Sequence, residues 1–233
     1  MTRAESPNKV EYARILQQAK LELYNDHPKE ALKILENAML VVHKFDSEFY
    51  LIRGQANRAL GDYGGAIEDF IHALELEPDS ILGLKLLAVA YFEIANMSRK
   101  ENAPRKIVQN NYLRALESIN TLESYECCDV KFMLRKAEIL AVLGRNEEAL
   151  EYFNKVLEVE PKNIEALVHK SIALIELGRS SEAIITINEA LKLDTDNPEL
   201  WVYMANALNK LGRHSEAQTC LTHAEDLKSK ART

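Results

Sequence analysis

Along most of the chain, apolar residues return every third or fourth position, as in Leu84, Leu87 and Tyr91 or Trp201, Met204 and Leu208. That spacing lays a stripe down one side of a helix, whereas a half-buried strand would alternate. The stripes themselves repeat. Gly61-Asp62-Tyr63-Gly64-Gly65-Ala66-Ile67 and Gly144-Arg145-Asn146-Glu147-Glu148-Ala149-Leu150 are near copies of each other. Gly178-Arg179-Ser180-Ser181-Glu182-Ala183 and Gly212-Arg213-His214-Ser215-Glu216-Ala217 follow the second at intervals of 34 residues. Extending the frame gives six units, starting near residues 12, 47, 81, 130, 164 and 198.

Within that frame the eighth position reads Ala19, Gly54, Ala88, Ala137, Ser171 and Ala205, all small. The twentieth reads Ala31, Ala66, Val108, Ala149, Ala183 and Ala217, and the twenty-seventh Ala38, Ala73, Ala115, Val156, Ala190 and Ala224. Small side chains at fixed contacts let two helices approach closely. Gly61, Gly144, Gly178 and Gly212 are placed to end the first helix of their units in the left-handed conformation. Pro78 and Pro161 fall just past the second helix, which they could not continue. Each unit therefore predicts a helix hairpin that cannot bury its apolar side alone, so that neighbours stack into one core.

This pattern resembles the tetratricopeptide repeat, a 34-residue helix–turn–helix with an aromatic, small residues, Phe and a closing Pro at set places. The match is fullest in the second unit (Tyr50, Gly54, Ala66, Phe70, Ala73, Pro78) and the fourth (Ala137, Ala149, Phe153, Pro161), and covers roughly residues 12–228. The resemblance implies an all-α solenoid, a right-handed superhelix of antiparallel helix hairpins, with first helices lining a concave groove. A single array over 9–228 is expected, between a flexible 1–8 and a tail at 229–233. Departures are local. Arg53, Lys136 and Lys170 take the seventh position in three units, and His43, Asn120 and Thr195 replace the closing Pro. These suggest imperfect packing at particular joints.

The third unit is enlarged, its spacing to the fourth being 49 residues. Extra residues near 96–104, ending in Pro104 as a candidate first helical residue, predict a lengthened hairpin tip of one added turn per helix. A second extra stretch at 121–129 is expected at the opposite end. Arg99, Lys100, Arg105 and Lys106 make the tip the most basic spot on the chain. It reads either as a solvated loop that tolerates insertion or as a dock for an acidic partner or phosphate headgroups.

Composition narrows the function classes. Aromatics at 7%, with eight Gly and six Pro, argue against an all-β sandwich. With 29 basic against 36 acidic residues the formal charge is −7, which disfavours nucleic acid as a partner. Three cysteines, two of them adjacent (Cys127 and Cys128), form neither a disulfide framework nor a four-ligand zinc site, and fit a reducing compartment. No secretory leader is evident in MTRAESPNKV, and no apolar run near 18 residues stands out, so a cytoplasmic protein without an integral membrane segment is expected. Phosphate loops, HExxH and nucleophile elbows are missing from the sequence. The six His are scattered without ligand spacing. Neither an enzyme, a metal nor a cofactor is expected.

The remaining question is what the first helices present. The resemblance puts partner contacts at roughly their second, fifth, sixth, ninth, twelfth and thirteenth positions. Those hold Leu51, Ile52, Gln55, Leu82, Leu86, Val89 and Phe92 in the second and third units. Lys131, Leu134, Arg135, Glu138, Val168, His169, Ile172, Val202, Tyr203 and Asn206 follow in the later ones. Of the carboxylate clamp found in chaperone-binding members, only Lys131 and Arg135 match, so a chaperone-tail clamp is not expected. An apolar strip rimmed by charge marks an interaction site unless some of it belongs to the core. The reading is a non-catalytic adaptor or scaffold that holds an amphipathic helix or extended peptide in its groove. Alternatives are a scaffold that self-assembles through its array ends on an organelle or membrane complex, a secretion or assembly chaperone, and an enzyme's regulatory subunit.

Overall fold

A computed structural model describes residues 7–230, so the expected flexible N-terminus and C-terminal tail lie largely outside the described residues. Pro7 and Asn8 already belong to a helix, as do Ser229 and Lys230. The described residues form twelve helices and no strand, paired as six hairpins. They are α1 (Pro7–Tyr24), α2 (Pro28–Val41), α3 (Ser47–Ala59), α4 (Tyr63–Leu76), α5 (Ile81–Lys100), α6 (Arg105–Ser124), α7 (Val130–Val142), α8 (Asn146–Val159), α9 (Ile164–Glu176), α10 (Ser180–Leu193), α11 (Pro198–Lys210) and α12 (His214–Lys230). The described chain divides into two compact units, one with α1–α6 and one with α7–α12. The fold is an all-α solenoid of stacked hairpins within each unit.

The small residues of the repeat frame are all buried. Gly54 shows why they must be small: a Cβ there would lie 2.5 Å from Phe70 Cε1, across the α3–α4 contact. Gly61, Gly144, Gly178 and Gly212 have φ between 74° and 83° and close the first helices as expected. First helices start on side-chain caps. Asp46, Asp62, Ser80, Asp129 and Asn163 each accept a hydrogen bond from the backbone N–H three residues on, although Asp62 does so for a second helix, α4. The second helices of the C-terminal unit use another device. Arg145, Arg179 and Arg213 each make a two-pronged pair with Glu148, Glu182 and Glu216, at 2.6–2.7 Å. Those pairs put a carboxylate in the first turn, where the helix dipole favours it.

Arg53 and Lys136, two of the three polar seventh positions, do not leave poor joints. Arg53 pairs with buried Asp69 of α4. Lys136 is buried with its ammonium 4.4 Å from the Tyr152 ring of α8. Each charge is met inside its own hairpin.

The enlarged third unit has two helices of 20 residues, where the first and second helices of the unit before it have 13 and 14. The added length is therefore nearer two turns per helix than one. Pro104 sits at the cap, one residue ahead of α6. The second extra stretch is absorbed partly by α6, which runs to Ser124, and partly by the turn before Asp129. Helix α5 also bears on the expectation of no long apolar run: it holds an 18-residue window of mean hydropathy 1.4, long and apolar enough to cross a membrane. Here it packs against α4 and α6.

Candidate partner-binding faces

Within each unit the hairpins stack with their first helices toward one another. Helix α1 touches α3 and α3 touches α5, while α7 touches α9 and α9 touches α11. Among the described residues no such contact joins α2 to α4, α4 to α6, α8 to α10 or α10 to α12. Adjacent first helices are thus the closer set, so the side chains that decide a partner on that side come from α1, α3 and α5, or from α7, α9 and α11.

In the N-terminal unit the expected strip is reduced. Ile52 is 1% exposed and packs with Leu16, Ala19, Leu35 and Phe49 of the first hairpin and its own helix. Leu51 is buried with Phe70, Leu87 and Ala90 on the other flank. Both belong to the core. Leu82 is exposed, while Leu86, Val89 and Gln55 are half-buried. Gln55 donates to the Leu51 carbonyl at 3.0 Å. Phe92 lies edge-on to Tyr112 of α6, with ring centroids 6.1 Å apart, and so serves its own hairpin as well. A contact the sequence did not suggest ties the first helices together: Arg58 of α3 donates to both carboxylate oxygens of Glu93 on α5, at 2.9 and 3.2 Å.

In the C-terminal unit Leu134 is buried and joins the core, a second correction. Lys131 and Asn206 are exposed, and Val168, Ile172, Val202 and Tyr203 are half-buried along α9 and α11. Burial, helped by Glu199, raises the Tyr203 phenol above its usual value. Glu138 departs furthest from expectation. It is 7% exposed although it stands at a nominal groove position. Its Oε2 accepts from Arg135 at 2.9 Å, and its Oε1 lies 3.7 Å from His169 Nε2. Burial pushes the carboxyl up to about 7; Arg135 opposes the shift and Glu165 adds to it. The Arg135 guanidinium is therefore committed to Glu138, which weakens further any likeness to a carboxylate clamp.

The basic tip is as expected in place: Arg99 and Lys100 in the last turn of α5, Arg105 and Lys106 in the first turn of α6, all exposed. The first two suit the negative end of their helix, and the second two oppose the positive end of theirs. Cys127, Cys128 and Cys220 are unbridged thiols, each half-buried, and burial raises the Cys220 thiol.

A tetratricopeptide repeat profile matches residues 16–81 and 101–164, more than half the chain, and a second profile of the same description matches 142–192. The chain belongs to the tetratricopeptide repeat family. No curated protein sequence matches it. Several solved tetratricopeptide repeat proteins share the fold. MamA superposes with a TM-score of 0.65 at 16% identity, over 77% of this chain and 96% of its own. YrrB, a TPR protein with an unusual peptide-binding site, gives 0.62 at 16% identity, over 79% and 87%. TTC0263, a thermophilic TPR protein of Thermus thermophilus, gives 0.52 at 20% identity, over 85% and 99%. Tetratricopeptide repeat proteins bind protein or peptide partners and are in general non-catalytic scaffolds. This chain is a protein-interaction adaptor in that general sense.

Proposed function

We propose that the chain is a cytoplasmic, non-catalytic adaptor that holds a segment of a partner protein on the first-helix faces of its units. The observation that carries this reading is Leu82, an α5 side chain 53% exposed beside the half-buried Leu86 and Val89. An apolar row of this kind, bordered by charge, gains free energy when a partner covers it. Half-buried Val168, Ile172 and Val202 continue the same chemistry in the C-terminal unit. An amphipathic helix laid against such a row is the matching ligand.

The test uses Leu82→Asp, which alters an exposed position and leaves the core alone. Ile185→Asp is the control, on the exposed face of α10. A partner segment captured by the wild-type chain is synthesised and its affinity measured by fluorescence anisotropy. Loss of about tenfold or more for Leu82→Asp alone supports the reading. Loss for Ile185→Asp alone places the working surface on the second helices.

One further observation favours a second reading, self-association through the first hairpin. Leu21 and Tyr24 on α1 are 56% and 88% exposed, next to Arg14, Gln17 and Lys20. Two large apolar side chains this exposed and this close gain free energy when a second surface covers them. Sedimentation velocity of wild type against Leu21→Asp/Tyr24→Ser decides it, since only association through α1 would make the mass concentration-dependent in the first and not the second.

A further inference from the structure

We infer that Glu138, Glu165 and His169 form a site for a divalent transition-metal cation of the Zn2+ class on the first-helix face of the C-terminal unit. Glu165 and His169 stand one turn apart on α9, so their side chains emerge on the same side. Glu138 reaches them from the neighbouring first helix, α7. One donor atom from each of the three lies within 4.8 Å of the other two. His169 Nε2 and Glu138 Oε1 are 3.7 Å apart. A cation bound at about 2.0–2.2 Å to each would bridge that gap with a small inward movement.

The second observation is independent of the acidic pair. Glu138 is more than nine-tenths buried, and its Oε1 has no hydrogen-bond partner. A buried carboxylate oxygen left unbonded is costly, and a coordinate bond would satisfy it. The other oxygen is held by Arg135 at 2.9 Å, which fixes the carboxylate's rotation and turns Oε1 toward His169. Arg135 is thus a positioning residue, in the manner of an outer-shell hydrogen bond to a ligand. The His169 ring lies nearly parallel to that of buried Phe153, at 10° and 6.2 Å, which sets the imidazole plane. One imidazole with two carboxylates is a donor set for Zn2+, not the all-oxygen cage of Ca2+ or Mg2+. Three protein donors leave a fourth position, and the His169 side chain, 40% exposed, leaves that position open to solvent.

The competing explanation is a direct ion pair between protonated His169 and Glu138. Titration calorimetry of the full chain with ZnCl2, after chelator treatment and with thiols reduced, separates the two. Wild type should bind one equivalent that depends on these residues. His169→Ala, Glu165→Gln and Glu138→Gln should each weaken it at least tenfold, and Arg135→Gln about tenfold. Circular dichroism checks each fold, and His169→Gln replaces His169→Ala if the latter unfolds. Co2+ added in place of Zn2+ should give a visible spectrum without a thiolate charge-transfer band, and the Cys127→Ser/Cys128→Ser/Cys220→Ser chain should bind as wild type. Unchanged Zn2+ binding in the His169 variant, a thiolate band, or no binding by wild type would overturn the site. None of these outcomes depends on whether the same face also holds a partner segment.

Discussion

Arg53 of α3 grips Asp69 of α4 through both carboxylate oxygens, with Nε 3.0 and 3.1 Å from Oδ1 and Oδ2 and Nη2 2.5 Å from Oδ1. Asp69 is buried and also accepts from Asn57 Nδ2 at 3.1 Å. The guanidinium lies 5.3 and 5.4 Å from the Phe49 and Tyr50 ring centroids. Asp69 raises the Arg53 pKa mainly through these hydrogen bonds. This fork joins the two helices of one hairpin at a place where an apolar side chain would otherwise pack.

Removing one partner is expected to cost more than the pair contributes, because it strands a buried charge. Arg53→Ala should therefore destabilise the chain by roughly 2–4 kcal/mol, and Arg53→Met/Asp69→Leu by much less. Urea unfolding followed by circular dichroism checks the order. A single variant as stable as wild type would show that water already satisfies Asp69.

Two glycines in adjacent helices should respond in opposite ways to the same substitution. A Cβ at Gly54 would meet Phe70 Cε1 at 2.5 Å and Cδ1 at 2.8 Å, and Phe70 is fully buried. Gly54→Ala should cost roughly 1–3 kcal/mol. At Gly64, exposed in the first turn of α4, the nearest atom is 3.7 Å away. Gly64→Ala should raise stability by about 0.5–1 kcal/mol through the unfolded chain's lost freedom. Thermal melts of the two variants give the comparison.

The Arg–Glu pairs that open α8, α10 and α12 predict a pH effect. Hydrogen bonds from Arg145, Arg179 and Arg213 hold Glu148, Glu182 and Glu216 below the ordinary carboxylate value of 4.5. A lowered folded-state pKa means the unfolded chain takes up these protons first as pH falls. The stabilisation is thus complete above about pH 4.5 and lost as pH falls through the folded values. Glu148→Gln/Glu182→Gln/Glu216→Gln should be slightly less stable than wild type at pH 7, and the gap should narrow as the pH falls below about 4.5. A gap that widens on acidification would reverse the assigned sign. Because the pairs are exposed, 0.5 M salt should shrink the pH 7 difference.

The hairpins were readable because stacking helices at close range needs small residues at fixed intervals, and Ala19, Gly54, Ala88 and their counterparts keep that interval. Partner-facing residues were less readable. Whether the fifth and sixth positions are covered depends on the side chains that the neighbouring helices bring to them: Leu51 meets Phe70 and Leu87, and Ile52 meets Leu16 and Leu35, so both went inward. The frame treats such positions alike in every unit, yet Val168 and Val202 stay half-buried. The Glu138–His169 approach was invisible for a different reason. It joins the ninth position of one unit to the sixth of the next, and only the packing of α7 on α9 brings these together. Lys136 read as a defect because a period analysis sees a charge on an apolar stripe and cannot see the Tyr152 ring that receives it.

The turns show the same limit and supply a final test. Four hairpins announce their turn by Gly, but the first and third use Asp26 and Asn102 at φ 61° and 56°. Asp and Asn enter that left-handed region more readily than other side chains. Glu126, after α6, has φ 56° too, without their short side chain to form a local hydrogen bond. Its backbone N–H donates to the Glu123 carbonyl at 2.9 Å and that of Cys127 to Leu122 at 3.0 Å, so the helix end itself imposes the conformation. Glu126→Gly should therefore stabilise the chain by about 1 kcal/mol, Glu126→Asn by less, and Glu126→Val should destabilise it. Denaturation midpoints that rank Gly above Asn, Asn above Glu and Glu above Val would establish the strain; equal midpoints would mean the turn relaxes out of it.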